Sequence, residues 1–355
     1  MNMKATLDRM LAILLLAITA SGIAWGQARP DAPLALYDGP DREQRLLAGA
    51  RREGFLTFYT SLNEQNMALL VSGFEKKYGI KVRTWRSGAD KVLQRMVTEA
   101  GAGRFDVDAV HPGSGELEAL HREKLLQPVN SPHHKNLFAA ALPAHREWAP
   151  TFLSVWVQGY NTNAIKKEDL PKTYQDLLDP KWKGKLGIEA ADDDWFGKTV
   201  TEMGEQKGLK LFRDIVAANG ISTRKGHSLL NNLVVSGEVP FAITVYNYSP
   251  EYSKKQGAPV DWIALDPVVA RANGVGVARK APHPHAALLF YDFLISDEGQ
   301  KLYAVREYVA ASRNIQLPSK LKNANIRIID PAQALDQSDK WFKEFQEIVI
   351  KRGGA

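Results

Sequence analysis

After residue 55 the apolar positions switch repeatedly between two spacings. Phe55-Leu-Thr-Phe-Tyr-Thr-Ser61 is a short run rich in aromatic and β-branched residues, which predicts a strand. Over residues 63–78 the apolar positions move to Met67, Leu70, Val71 and Phe74, the spacing of one helix face, and Gly79 supplies a stop. The same alternation predicts strands at 80–85 and 106–110. It predicts helices at 89–100, with Val92, Leu93, Met96 and Val97 on one face, and at 114–124. Strands separated by helices of this length form parallel, right-handed crossover units.

A second region begins near Ala149. Residues 151–161 form a long apolar and aromatic run (Phe152, Leu153, Val155, Trp156, Val157, Tyr160) that predicts a strand passing from one half of the molecule to the other. Residues 172–187 read as a helix, a turn and a return strand. Helices follow Trp195, span 208–219 and occupy 228–236, strands lie at 239–248 and 261–264, and residues 266–277 lead back to the first half. Pro284 to Ser296, Asp297 to Tyr308 and Trp341 to Val349 carry helical spacings of large apolar residues. Internal repeats and low-complexity linkers are absent from the sequence.

The amino end has a different pattern. Lys4 and Arg9 precede an apolar run from Met10 to Ala20, and Gly26 and Ala28 stand at the spacing a signal peptidase accepts. The run is shorter than the roughly 20 residues a bilayer span needs, so residues 1–28 are expected to be a secretion signal, cleaved near Ala28 or Gly26, and the mature protein periplasmic. With no cysteine in the chain, disulfides, thiolate metal sites, cysteine nucleophiles and a lipid-modified amino-terminal cysteine are all excluded. The formal charge of +6 is spread among interspersed acids and bases rather than a basic block, which gives no support to nucleic-acid binding.

In parallel sheets ligands sit beyond the carboxyl ends of strands, where helices begin. Three junctions therefore stand out: Tyr59-Thr60-Ser61, Arg86-Ser87-Gly88 and His111-Pro-Gly-Ser114. Each places a hydroxyl residue or a glycine before a helix start, either as a plain cap or as part of an anion-binding N-terminus. Asp192-Asp-Asp194 reads first as a solvated helix start and second as a cation site. Trp195 beside it is a core residue or a cleft-edge aromatic. Arg224 is a surface salt-bridge partner or a clamp for a carboxylate or phosphate, and Ser228 opens another helix. The sequence holds no HExxH pair, no Gly-x-Ser-x-Gly elbow, no glycine-rich phosphate loop and no dinucleotide fingerprint, so an enzyme is not expected.

Four segments together resemble the type II periplasmic binding proteins of the ferric-ion and thiamine group: the opening strand at 55–61, residues 174–187, Gly237-Glu-Val-Pro-Phe-Ala-Ile-Thr-Val-Tyr-Asn247, and residues 282–303 with Ala-Ala-Leu-Leu-Phe-Tyr-Asp-Phe-Leu-Ile-Ser-Asp-Glu-Gly-Gln300. The resemblance implies an α/β fold of two lobes, each a mostly parallel sheet flanked by helices, joined by two crossing strands. Lobe 1 would comprise 29–150 plus 268–355, and lobe 2 residues 151–267. It implies a monomeric substrate-binding component of an ABC importer that closes on a small ligand and delivers it to a permease and ATPase complex, with no cofactor. The cargo would be ferric iron or a small anionic or polar organic solute. The expected binding residues are Tyr59, Thr60, Ser61, Ser87, His111 and Ser114 from one lobe, and Trp195, Arg224, Ser228, Tyr246, Asn247 and Tyr248 from the other. If the cargo is ferric iron, His111, Tyr246 and Tyr248 would ligate it, and Tyr246 and Tyr248 would share a face of an extended segment. A sensor subunit docking to a membrane receptor and a periplasmic enzyme on the same scaffold are the alternatives.

Overall fold

One strand organises the molecule. In the computed structural model, which describes residues 33–351, β4 (Trp148–Asn161) is buried along its whole length and belongs to two sheets in turn. Its first half pairs antiparallel with β9 (Val268–Val277), and its second half with β7 (Phe241–Tyr246) and β8 (Val260–Ile263). Outward from β9 lie β3 (Ala109–His111), β1 (Phe55–Thr60) and β2 (Lys81–Arg86); outward from β7 lie β5 (Leu186–Glu189) and β6 (Ser222–Arg224). The outer strands pair parallel, as their helical crossovers require, and antiparallel pairing is concentrated around β4 and β9. Two short strands, β10 (Val309–Ala310) on β4 and β11 (Ile326–Ile328) on β9, complete the first sheet.

The helices follow from local signals. Helix α1 (Arg42–Glu53) precedes β1. Helix α2 (Glu64–Tyr78) starts where the Asn63 side chain accepts from the Asn66 N–H, and stops at Gly79, whose φ of 73° suits glycine. Helices α3 (Ala89–Gly101) and α4 (Ser114–Arg122) follow β2 and β3. In the second half come α5 (Asp193–Glu202), α6 (Glu205–Asn219), α7 (His227–Ser236) and α8 (Tyr248–Lys255). Helix α9 (Pro284–Ile295) is buried almost all round because it is packed among α1, α2 and the first sheet. Helix α10 (Asp297–Val305) begins at Ser296, whose hydroxyl accepts from the Gly299 N–H.

Each half has its own apolar centre. Phe58, Phe74 and Phe290 pack edge-on under α2 and α9, with ring centroids 4.9 Å apart in both pairs that include Phe290. Trp195, Phe196 and Phe212 do the same in the second half. The carboxyl-terminal residues, expected with lobe 1, pack against the second centre. After β11 the chain forms α11 (Pro331–Asp336) and α12 (Ser338–Phe345), and Trp341, Phe345, Ile348 and Val349 pack into the second half against Phe196 on α5. The spacing of Trp341, Phe345 and Ile348 marks an apolar face, but the surface that covers it is set by tertiary packing. The signal-peptide reading concerns residues 1–28, outside the described residues.

Candidate functional site

Two helix starts from opposite halves face one cavity. Helix α4 begins at Ser114 just after β3, and α5 begins at Asp193 just after β5. Between them lies a space of about 340 Å3 whose walls include Ser114, Gly115, Glu116 and Ala119 on one side and Ala191, Asp193, Asp194 and Gly197 on the other. Residues 329–338 of the tail close a third side, and Arg271 of β9 contributes at the junction.

Arg271 is the one charged residue of β9, flanked by Val268, Val269, Ala270 and Ala272, all buried. Its Nη1 donates to Asp194 Oδ2 at 3.2 Å, and its guanidinium lies 5.4 Å from the Trp156 ring and 5.7 Å from the Tyr246 ring. About a third of the side chain (35 %) remains open, while its buried Nε has no hydrogen-bond partner. Burial works against the Arg271 charge, but Tyr246, Asp194 and Glu116 around it outweigh that and hold it firmly protonated.

Behind Arg271 the second half presents a layer of polar groups. Trp156 Nε1 donates to Asp192 Oδ1 at 3.0 Å, and the His227 Nε2 lies 3.2 Å from the same oxygen. The His227 ring sits 3.9 Å from that of Tyr246, centroid to centroid. Asp192 Oδ2, His227 Nδ1 and Tyr246 Oη are buried without partners. Glu189 accepts from the Gly226 and Ala191 N–H groups at 2.8 and 2.6 Å, pinning the loops that carry Asp192 and His227. Glu189, Asp192 and His227 bring nitrogen and oxygen atoms within 4.8 Å of one another, a donor set a transition metal accepts. Asp193 is raised to about 6 by burial and by the neighbouring Asp194 and Asp192 charges.

Of the expected site residues, the structure gathers Tyr246, Asn247, Tyr248 and Ser114 around this region. Tyr246 and Tyr248 stack with centroids 5.6 Å apart and planes 24° from parallel. The reason differs from the expected extended segment: Asn247 turns with helical φ and ψ (−47°, −37°), so Tyr246 ends β7 and Tyr248 opens α8. Asn247 Nδ2 donates to the Glu307 carbonyl, which fixes that turn. Burial raises both phenols, Tyr246 well above its usual value.

The other expected residues are placed elsewhere. His111 is buried in the first half, where its Nε2 meets Thr151 Oγ1 at 2.8 Å and the Tyr303 hydroxyl at 3.2 Å, and burial lowers it to about 4. Its ring is buried among Phe58, Phe152 and Tyr303 and engaged by Thr151 and Tyr303, apart from the Tyr246 and Tyr248 pair with which it was expected to ligate ferric iron. The Tyr59 hydroxyl donates to Glu99 beneath α3, and Thr60 and Ser61 bond to the His111 carbonyl, so this junction is spent on its own turn. Ser87 is half-buried, its N–H donating to the Thr60 carbonyl. Trp195 is fully buried in the second core. Arg224 bonds the Thr223 carbonyl and lies 3.5 Å from Glu238, and Ser228 is exposed. Sequence reasoning missed Arg271, Glu116 and Trp156. Only Arg271 had left a trace, as the lone charge in an apolar strand.

The sequence profile of a family described as bacterial extracellular solute-binding protein matches residues 70–327. The chain belongs to that family. Members of this solute-binding family serve ABC importers and hold their ligand in a cleft between two lobes, and this chain has their α/β architecture. The solute-binding chain is similar to the Fe(3+)-binding periplasmic protein of Serratia marcescens, 28 % identical over 309 residues that cover 84 % of this chain and 90 % of that one. It superposes on iron-bound HitA from Pseudomonas aeruginosa with a TM-score of 0.71 at 20 % identity, covering 83 % of this chain and 99 % of the other. The fold is equally close to that of AfuA from Actinobacillus pleuropneumoniae with fructose-6-phosphate bound (TM-score 0.71, 19 % identity, 84 % and 99 % covered). Among the described residues no helix is long and apolar enough to cross a membrane.

Proposed function

We propose that this solute-binding protein is a monomeric periplasmic receptor that captures a small polar solute bearing an anionic group and passes it to an ABC permease and ATPase complex. In this reading the lobes are residues 29–150 with 268–328, and residues 151–267 with the tail from 329. The signal peptide is removed near Ala28 or Gly26, and the protein performs no chemical step on its guest. The observation that carries the proposal is Arg271: a guanidinium with open surface, set where β9 meets both halves, between the N-termini of α4 and α5. A guanidinium and two helix starts favour carboxylate, phosphonate or phosphate. Native mass spectrometry of freshly purified protein identifies the guest, and Arg271→Ala should lower the fraction of protein that retains it. A guest retained equally by that variant would overturn the proposal.

A ferric cargo is the second reading, favoured by the stacked Tyr246 and Tyr248 and by the Asp192 and His227 donors beside them, and in keeping with the iron-binding relatives. Adding ferric citrate and recording the visible spectrum separates the two, since iron on these phenols produces a charge-transfer band that Tyr246→Phe removes. The sensor alternative predicts docking to a receptor rather than to a permease, which pull-down against each resolves.

A further inference from the structure

The cleft described above carries more negative charge than its single guanidinium neutralises. Among the lining acids, Asp330 is occupied in capping α11 through the Ala332 and Gln333 N–H groups, and Asp194 holds Arg271. Lys198 is taken by Glu202 at 2.8 Å. Glu116 on α4 and Asp193 on α5 remain: they line the same cavity from opposite halves, and among the described residues neither has an ion pair or a hydrogen bond to another side chain. Asp192, 2 % exposed, adds a further carboxylate oxygen without a partner just behind Asp193.

Two unpaired carboxylates facing one cavity are stabilised by a cation. A bare metal ion there would also meet the Arg271 charge, and a space of about 340 Å3 is far larger than an ion needs. We infer that the guest is a zwitterion: its anionic end lies against Arg271, and an ammonium group is received between Glu116 and Asp193. This deepens the cleft reading above and rests on it. An ammonium shared by residues of both lobes ties closure to cargo identity, because a guest lacking the amine leaves Glu116 and Asp193 facing each other unpaired when the lobes approach.

The test is calorimetry on the mature protein with matched trios of three to five carbons, such as 4-aminobutanoate, butanoate and butylamine, with ferric citrate alongside. The amino acid of at least one trio should bind about tenfold or more tighter than both of its singly charged analogues. Glu116→Gln and Asp193→Asn should each weaken the amino acid roughly tenfold without weakening butanoate, because only the amino acid carries the ammonium these carboxylates receive. Butanoate binding as tightly as its amino analogue, no trio member binding, or variants that leave the amino acid unaffected would each overturn the zwitterion. Binding of ferric citrate alone would overturn it while leaving the cleft as the site. If an amino acid binds and Arg271→Ala makes no difference, the guest sits elsewhere and the cleft reading falls with it.

Discussion

Arg271 on β9 meets Asp194, at the start of α5, at 3.2 Å, so a strand of the first sheet is tied to a helix of the second at the mouth of the cavity. Arg271→Ala should lower affinity for an anionic guest by roughly ten- to a hundredfold, the size of one lost charge-assisted hydrogen bond. Arg271→Lys should recover part of it, because an ammonium keeps the charge but not the fork. Calorimetry with the co-purified guest gives both values.

Asp193 sets a pH dependence of definite sign. Its carboxyl is raised in the folded protein to about 6 from 3.8, chiefly by burial and then by Asp194. The folded state therefore binds more protons than the unfolded one between those values, and the Asp193 contribution to stability falls as pH rises through that window. Asp193→Asn should flatten this part of the profile and make the unliganded protein more stable above pH 6, as thermal melts from pH 4 to 8 will record.

His111 has the opposite dependence. Burial holds it at about 4 instead of 6.5, so the unfolded chain gains a proton first and stability drops as pH falls from 6.5 to 4. His111→Leu should remove that slope and cost about 1–3 kcal/mol at neutral pH, because Thr151 and Tyr303 lose a partner. Guest affinity should not change. A lost affinity in a folded His111→Leu protein would return this residue to the site.

Tyr246 carries a buried hydroxyl with no hydrogen-bond partner. Tyr246→Phe should hold or raise the stability of the empty protein by about 1 kcal/mol, while weakening any guest that bonds that hydroxyl. Chemical denaturation without ligand, paired with calorimetry, distinguishes the two effects.

Trp341 fastens the tail to the cleft wall. A Cβ at Gly197 would come within 2.5 Å of the Trp341 ring, so glycine is what lets α12 lie against α5. Trp341→Ala should cost about 3–5 kcal/mol, the usual loss for a buried tryptophan. It should also weaken guest binding, because α5 carries Asp193 and Asp194. Urea unfolding followed by a binding titration checks both.

The element order was legible in the sequence because it depends on neighbours along the chain. The 3.6-residue spacing in α2 and the Gly79 stop are local, as is the continuous apolar run that became β4, buried on both faces. Alternation along a strand predicts that Tyr246 and Tyr248 share a face, whereas a helical turn at Asn247 is what stacks them. His111 stands at a strand end where ligands often bind, and nothing in its neighbours distinguishes the cleft side from the core side.

What the sequence determined by itself is the α/β alternation, the exclusion of cysteine chemistry and the absence of familiar catalytic signatures. Only the tertiary structure decided the site. Glu116, Asp193 and Arg271 lie far apart along the chain, and their nearness depends on the path of β4 and on packing between halves. A charge on an apolar strand is visible in one dimension, but whether it meets solvent, a carboxylate or an open cavity depends on contacts that local propensity does not encode.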